Sequence, residues 1–235
     1  MKKLVLLAMS MVMGTTAIAQ NKVEATINGD IVSSYIWRGQ DLGNVSFQPT
    51  LGIAYKGLSL SAWGNIGISN ADDTKELDLT LSYTIGGFNI GITDYWTNDG
   101  GDPEARYFRY NAHGTNHVFE GNIGYDFGFL SLQWFTNFAG NDYKEDGKRA
   151  FSSFFEATVP FKLAHVDWTA TAAAVPFTTD YYNGHTSGFA VTNLSLKATK
   201  DIKVTDSFSI PVFGEIIGNP CTQKAYLVFG FSLHP

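Results

Sequence analysis

Cysteine is nearly absent from this chain: Cys221 is the single one in 235 residues. One thiol excludes an internal disulfide framework. Basic residues are scarce as well, 16 Lys and Arg against 22 Asp and Glu. Without Lys2 and Lys3, which belong to the leader described next, the count is 14 against 22, a net charge of −8. So acidic a balance argues against nucleic acid as a partner. After residue 19 there is no apolar run of about 18 residues, so no transmembrane helix is predicted. Charged residues are 16% of the chain, below the roughly 25% of soluble domains. Gly and the aromatics Tyr, Phe and Trp are abundant instead.

What is present begins with an address. Lys2 and Lys3 form a basic start, Leu4 to Met13 is a short apolar run, and Ala17-Ile18-Ala19 fits a small-residue cleavage site. The run is too short to cross a membrane as a helix. Residues 1–19 therefore read as a signal peptide, with the mature chain starting at Gln20. Residues 20–235 read as one all-β domain.

The first stretch of that domain, Val23 to Gly39, repeats with a period of two. Val23, Ala25, Ile27, Gly29, Ile31, Ser33, Tyr35 and Trp37 form a mostly apolar set. Glu24, Thr26, Asn28, Asp30, Val32, Ser34, Ile36 and Arg38 form a mostly polar one, with Val32 and Ile36 as exceptions. A period of two marks a strand with two unlike faces. The pattern recurs near 46–55, 58–68, 76–83, 88–96, 118–125, 130–138, 151–161, 166–174, 190–198, 208–216 and 225–233. Twelve strands are thus predicted. Their connections alternate. Loops 39–46, 69–74, 97–116, 139–149, 176–187 and 218–223 are mostly longer and polar. Loops 56–57, 84–87, 126–128, 162–164 and 199–207 are mostly tight.

Short turns on one rim and longer loops on the other are the habit of an outer-membrane β-barrel. Polarity alone leaves a sandwich or a soluble barrel open, because Ser, Thr, Asn and Gly suit a solvent face as well as a lumen. The aromatics favour the membrane. Tyr55, Tyr83, Tyr125 and Phe161 sit on the apolar set at the tight-turn ends, and Tyr35, Trp37, Phe47, Trp96 and Phe138 near the long-loop ends. Two aromatic rows flanking an apolar band make an interfacial belt. Closing such a barrel requires the first strand to pair with the last, Ala225 to Leu233, and its first residues are expected to do so.

SYIWRG (Ser34 to Gly39), QPTLGIAYKGLSLSAWGN (Gln48 to Asn65) and KELDLTLSYT (Lys75 to Thr84) cover roughly the first third of the chain. They resemble the TorF family of porins, a Gcw-type outer-membrane domain. In that family an early strand ends in aromatic-Arg-Gly, and a Trp-bearing hairpin precedes a Glu-Leu-Asp-Leu-like strand. The resemblance implies an outer-membrane barrel that conducts small solutes. The ending Leu233-His234-Pro235 departs from the terminal aromatic common to outer-membrane strands.

The polar set carries Glu24, Asp30, Glu76, Asp78, Glu120, Glu156, Asp167 and Glu215, with Arg38 and Lys197 as its clearest bases. From these, Arg38, Glu76, Asp78, Glu120, Glu156, Asp167, Lys197 and Glu215 are the candidate pore-lining residues. An acidic majority would concentrate cations and repel anions. The competing reading pairs the same acids with bases and hydroxyls inside a filled barrel. Arg38 fits either a constriction at the outer mouth or a rim position snorkelling to headgroups. Catalysis has weaker footing. No G-x-S-x-G motif occurs, and of His113, His117, His165, His185 and His234 most lie in or beside loops. His165 and Asp167 share a strand face by spacing. His113 and His117 reach metal-ligand spacing only on a helix, and an exposed loop pair is the plainer reading. The loop Thr97 to Asn116 holds Arg106-Tyr107-Phe108-Arg109-Tyr110, and is expected to fold inward or pack on neighbouring loops rather than to bind sugars or a partner.

The sequence thus predicts a twelve-stranded outer-membrane barrel in a Gram-negative cell, passing small hydrophilic solutes, cationic or neutral. No enzyme activity, cofactor, metal or catalytic residue is expected. Outer-membrane lipid and the solutes are the partners, and a homo-oligomer is open. The alternatives are a non-conducting structural or surface-interaction barrel and, behind it, an outer-membrane hydrolase.

Overall fold

A computed structural model describes residues 22–70, 72–182, 186–206 and 208–234. The predicted signal peptide, its cleavage site and His185 lie outside the described residues. The strands are β1 (Glu24–Val32), β2 (Tyr35–Trp37), β3 (Gln40–Gly43), β4 (Ser46–Tyr55), β5 (Leu58–Gly67), β6 (Lys75–Ile85) and β7 (Phe88–Asn98). They continue as β8 (His117–Asp126), β9 (Ser131–Gly140), β10 (Ser153–Leu163), β11 (Val166–Val175), β12 (Ala190–Lys203), β13 (Ser209–Asn219) and β14 (Lys224–Leu233). A 3-10 turn at Asp99–Gly101 is the sole helical element among the described residues.

Twelve of these strands close an antiparallel barrel, in the order β1-β14-β13-β12-β11-β10-β9-β8-β7-β6-β5-β4. Closure satisfies both sheet edges. The seam pairs Gly29 with Leu233 through Val32 with Gly230. The pairing with the last strand is as expected, but the end of β1 makes it rather than its start. The two remaining strands, β2 and β3, pair with each other and stand apart from the wall.

The period-two pattern sorts the wall into two faces. Outside stand Leu51, Ile53, Leu60, Leu79, Leu81, Ile90, Ile92, Ile123, Trp134, Leu194, Leu196, Ile216, Leu227 and Phe229, all exposed. Water gives no reason for so continuous an apolar girdle. At its tight-turn edge Tyr55, Tyr83, Tyr125 and Phe161 point outward, each 40–45% exposed. Inside stand the Ser, Thr, Asn, Asp and Glu of the alternate register. In the tight-turn half these lumen residues (Thr26, Thr50, Ser61, Thr80, Ser82, Asn122) are half-buried. In the long-loop half they are closed off: Glu76, Asp78, Thr93, Glu120, Asn137 and Thr192 are all buried.

The expected first strand, 23–39, is the main correction. The wall ends at Val32, and residues 35–43 turn into the lumen as the β2–β3 hairpin. Tyr35 and Trp37 are therefore interior and take no part in an outer belt; Tyr35 is 4% exposed. The physical reason lies in the two apolar exceptions on the polar register. Val32 packs inside against Ile217 and Val228, and Ile36 joins them from the hairpin. The turn at Arg38 and Gly39 has φ of 50° and 80°, a left-handed conformation that glycine adopts freely and that suits a two-residue hairpin.

Candidate functional site: a constriction inside the barrel

The hairpin has two faces and meets two walls. Its Ile36 side rests on the Val32, Ile217 and Val228 cluster. Its Trp37 side rests on Phe135, Phe154, Ala173 and Val175, joined by Tyr181 and Tyr182 from the β11–β12 loop. The hairpin tip is held at the long-loop end of β13, where Asn219 Nδ2 donates to the Gly39 carbonyl at 2.9 Å. A Cβ at Gly39 would collide with the Thr192 carbonyl. The hairpin base is tied by Asp73, which accepts from the Asn44 backbone N–H at 3.0 Å and its amide at 2.9 Å.

At the centre lies Arg38. Its guanidinium donates to both carboxylate oxygens of Glu120, at 2.5 and 2.9 Å. It also donates to the Tyr182 hydroxyl at 2.7 Å. Tyr182 and Tyr95 in turn donate to Glu120 at 3.1 and 2.9 Å. Both charges are withdrawn from water, the side chains being 8% and 2% exposed. Aromatic rings enclose the cation: its central carbon lies 4.3 Å from the centroid of Phe135, 4.5 Å from Trp37, 4.6 Å from Phe154 and 5.6 Å from Tyr182. Two-point hydrogen bonding and ring faces are what a planar guanidinium takes and a compact ammonium does not. Beside this pair, Tyr35 donates to Glu76 at 2.8 Å, and its ring packs on Trp63, 5.6 Å between centroids. Asp78, one lumen step along β6 from Glu76, faces Trp63 across the ladder.

Of the eight sequence candidates, Arg38, Glu76, Asp78 and Glu120 converge on this constriction. Glu156 lies on the lumen side of β10, half-buried. Lys197 and Glu215 are cross-strand partners on β12 and β13, and the Lys197 ammonium sits 3.9 Å over the Phe213 ring. Asp167 is elsewhere, bonded to Lys162 at 2.6 Å near the tight-turn rim. The sequence reading overlooked the aromatic lining: Trp63, Phe135 and Phe154 are large rings on the polar register, and that misfit was the available signal. Tyr182 left none, since only the fold brings its loop inside.

Of the two expectations for loop 97–116, folding inward or packing on its neighbours, the structure has the second, with His113 against Tyr143 of the 139–149 loop. Asp94, Trp96, His117 and Phe119 belong to the outward register, and the loop lies over them, with Tyr110 stacked on His117 at 4.3 Å and Tyr107 edge-on to Trp96 at 5.6 Å. His117 is consequently buried rather than an exposed loop histidine, bonded to Asp94 at 2.8 Å and to the Tyr107 carbonyl at 2.5 Å. His113, stacked on Tyr143, shares no ligand set with it. His165 sits in the β10–β11 turn at a φ of 62°, off the strand face it was expected to share with Asp167.

No family model and no curated protein matches this chain. A solved structure that resembles it is an outer-membrane channel from Pseudomonas putida F1, at 13% identity and a TM-score of 0.42, over 95% of this chain and 98% of that one. Function is therefore read from this chain's own residues.

Proposed function

We propose that this protein is an outer-membrane channel of small bore, passing small hydrophilic solutes with a preference for cations. The observation that carries the membrane reading is the exposed apolar girdle with its tyrosine edge, set on a closed barrel whose inner register is polar. In lipid every backbone group must be bonded internally, which a closed barrel achieves. The cation preference rests on charge. Glu76, Asp78, Glu120, Glu156 and Glu215 line the lumen against Arg38 and Lys197, and an acidic majority concentrates cations and repels anions. Asp78 Oδ1 and both polar atoms of the Asn137 amide have no protein partner. Buried polar atoms of this kind are ordinarily met by water.

The bore is set by the hairpin and not by the strand number. A twelve-stranded wall lies between the filled eight-stranded barrel and the open porin. Here β2, β3 and the Tyr181–Tyr182 segment occupy its long-loop half, and the tight-turn half stays a polar vestibule. Passage follows the narrow margin around the Arg38–Glu120 pair or requires the hairpin to withdraw. The test is reversal potential and conductance of the refolded protein in planar bilayers under a salt gradient. A cation-directed reversal potential above the lipid baseline supports the channel. Conductance no greater than lipid alone rejects it in favour of a non-conducting barrel.

A further inference from the structure

We propose that the pocket around Arg38 is a recognition site for guanidinium-bearing solutes, held in this structure by the barrel's own arginine. The inference rests on the channel reading above and names its solute class. Most of the pocket belongs to parts other than the hairpin. Glu120 is on β8, Phe135 on β9 and Phe154 on β10, with Tyr95 on β7 and Tyr182 on the β11–β12 segment. Only Trp37 arrives with Arg38. If the hairpin withdraws, a carboxylate oriented by two tyrosine hydroxyls and two phenyl faces remain in the wall, facing a polar vestibule.

The chemistry is selective. Glu120 offers both oxygens to two parallel N–H donors, at 2.5 and 2.9 Å, which a sodium ion or a primary ammonium does not match. The rings at 4.3 and 4.6 Å favour a flat, weakly hydrated cation. A purely space-filling plug has no need of such a pair. Apolar side chains fill the space without a desolvation cost, as the Ile36 face of the same hairpin does against Val32, Ile217 and Val228. Arg38 also sits on a two-residue turn joined to the wall through Ser33-Ser34 and Asn44-Val45, so the segment that holds it is a tethered unit outside the barrel ladder. A tethered group has a high effective concentration at its pocket. Free solute is therefore expected to bind poorly until Arg38 is removed.

The experiment is rescue of Arg38→Ala by methylguanidinium. Wild type, Arg38→Ala and Arg38→Ala/Glu120→Gln are refolded and compared in planar bilayers at constant ionic strength. Arg38→Ala is expected to conduct several-fold more than wild type. Millimolar methylguanidinium is expected to reduce the added conductance saturably, while methylammonium does not. In the double variant the half-effect concentration is expected to rise at least tenfold. No saturable effect, or an equal effect in the double variant, overturns the site while leaving the channel intact. If no variant conducts, the channel reading falls by itself. The site is then decided by titrating tryptophan fluorescence of Arg38→Ala in micelles, where a saturable, Glu120-dependent response supports it and a flat titration rejects it. Should Arg38→Ala fail the heat-modifiable mobility test for a folded barrel, the neutral Arg38→Gln replaces it with the same expectations.

Discussion

Replacing Glu120 by Gln should release the hairpin from the lumen. The substitution keeps size and most hydrogen-bonding capacity but leaves the Arg38 guanidinium buried without its counter-charge. Arg38 is 8% exposed and its fork closes on both Glu120 oxygens, so water offers little compensation. Removing one partner of a buried pair costs about 3–5 kcal/mol. Gln retains some bonding, and the Tyr182 hydroxyl still accepts from Arg38, so the low end, about 3 kcal/mol, is the fitting value. At 1.4 kcal/mol per tenfold, the balance between docked and withdrawn hairpin moves about a hundredfold. Trypsin reads this directly. The Arg38–Gly39 bond is inaccessible while Arg38 is caged, and cleavage that is slow relative to reclosing tracks the open population. Tryptic nicking after Arg38, followed by mass spectrometry in micelles, should accelerate about a hundredfold in Glu120→Gln. Cleavage after the exposed Arg106 serves as the internal reference. Equal rates at Arg38 in variant and wild type would refute the claim that Glu120 holds the hairpin.

Three further outcomes follow from the same geometry. Leu81, outward on β6 and 50% exposed, should tolerate lysine badly, losing about 2–4 kcal/mol of folding stability in lipid vesicles, whereas lysine at its lumen-facing neighbour Ser82 should cost far less; equal costs would deny the girdle its lipid contact. Gly39→Ala places a Cβ at a φ of 80° against the Thr192 carbonyl, so strain of about 1–3 kcal/mol should raise cleavage after Arg38 without unfolding the barrel by gel mobility. Cys221, exposed in the β13–β14 loop, should react with a membrane-impermeant maleimide on intact cells, and protection there with labelling after lysis would reverse the orientation of the rims.

The wall was legible because a period of two survives in nearly every strand. The alternation of loop lengths gave the rims, and the apolar register gave the outer face. The interior was harder. Val32 and Ile36, apolar on the polar register, marked the place where the chain leaves the wall, and Arg38-Gly39 marked the turn. A strand rule that tolerates one exception reads straight through both. Trp63, Phe135 and Phe154 carried the same kind of signal, large rings where a solvated lumen expects small polar groups. The acids Glu76, Asp78 and Glu120 were found by register, but nothing local said that Arg38 would reach Glu120 across 82 residues. The role of Tyr182 depends on its loop folding inside, which is a tertiary fact. The covering of His117 by Tyr107 and Tyr110 is another, because it depends on a loop whose direction no local pattern sets.

The most direct test of a lipid-spanning barrel throttled by its own hairpin is single-channel conductance with and without that hairpin. Residues 34–44 are replaced by a short glycine-serine turn joining β1 to β4, and the refolded variant is compared with wild type in planar bilayers. A steady, cation-selective conductance several times the wild-type value is expected, with wild type showing small or infrequent openings. Equal conductance in the two proteins would contradict it, because the lumen would then be limited by something other than the segment that Arg38 and Glu120 hold in place.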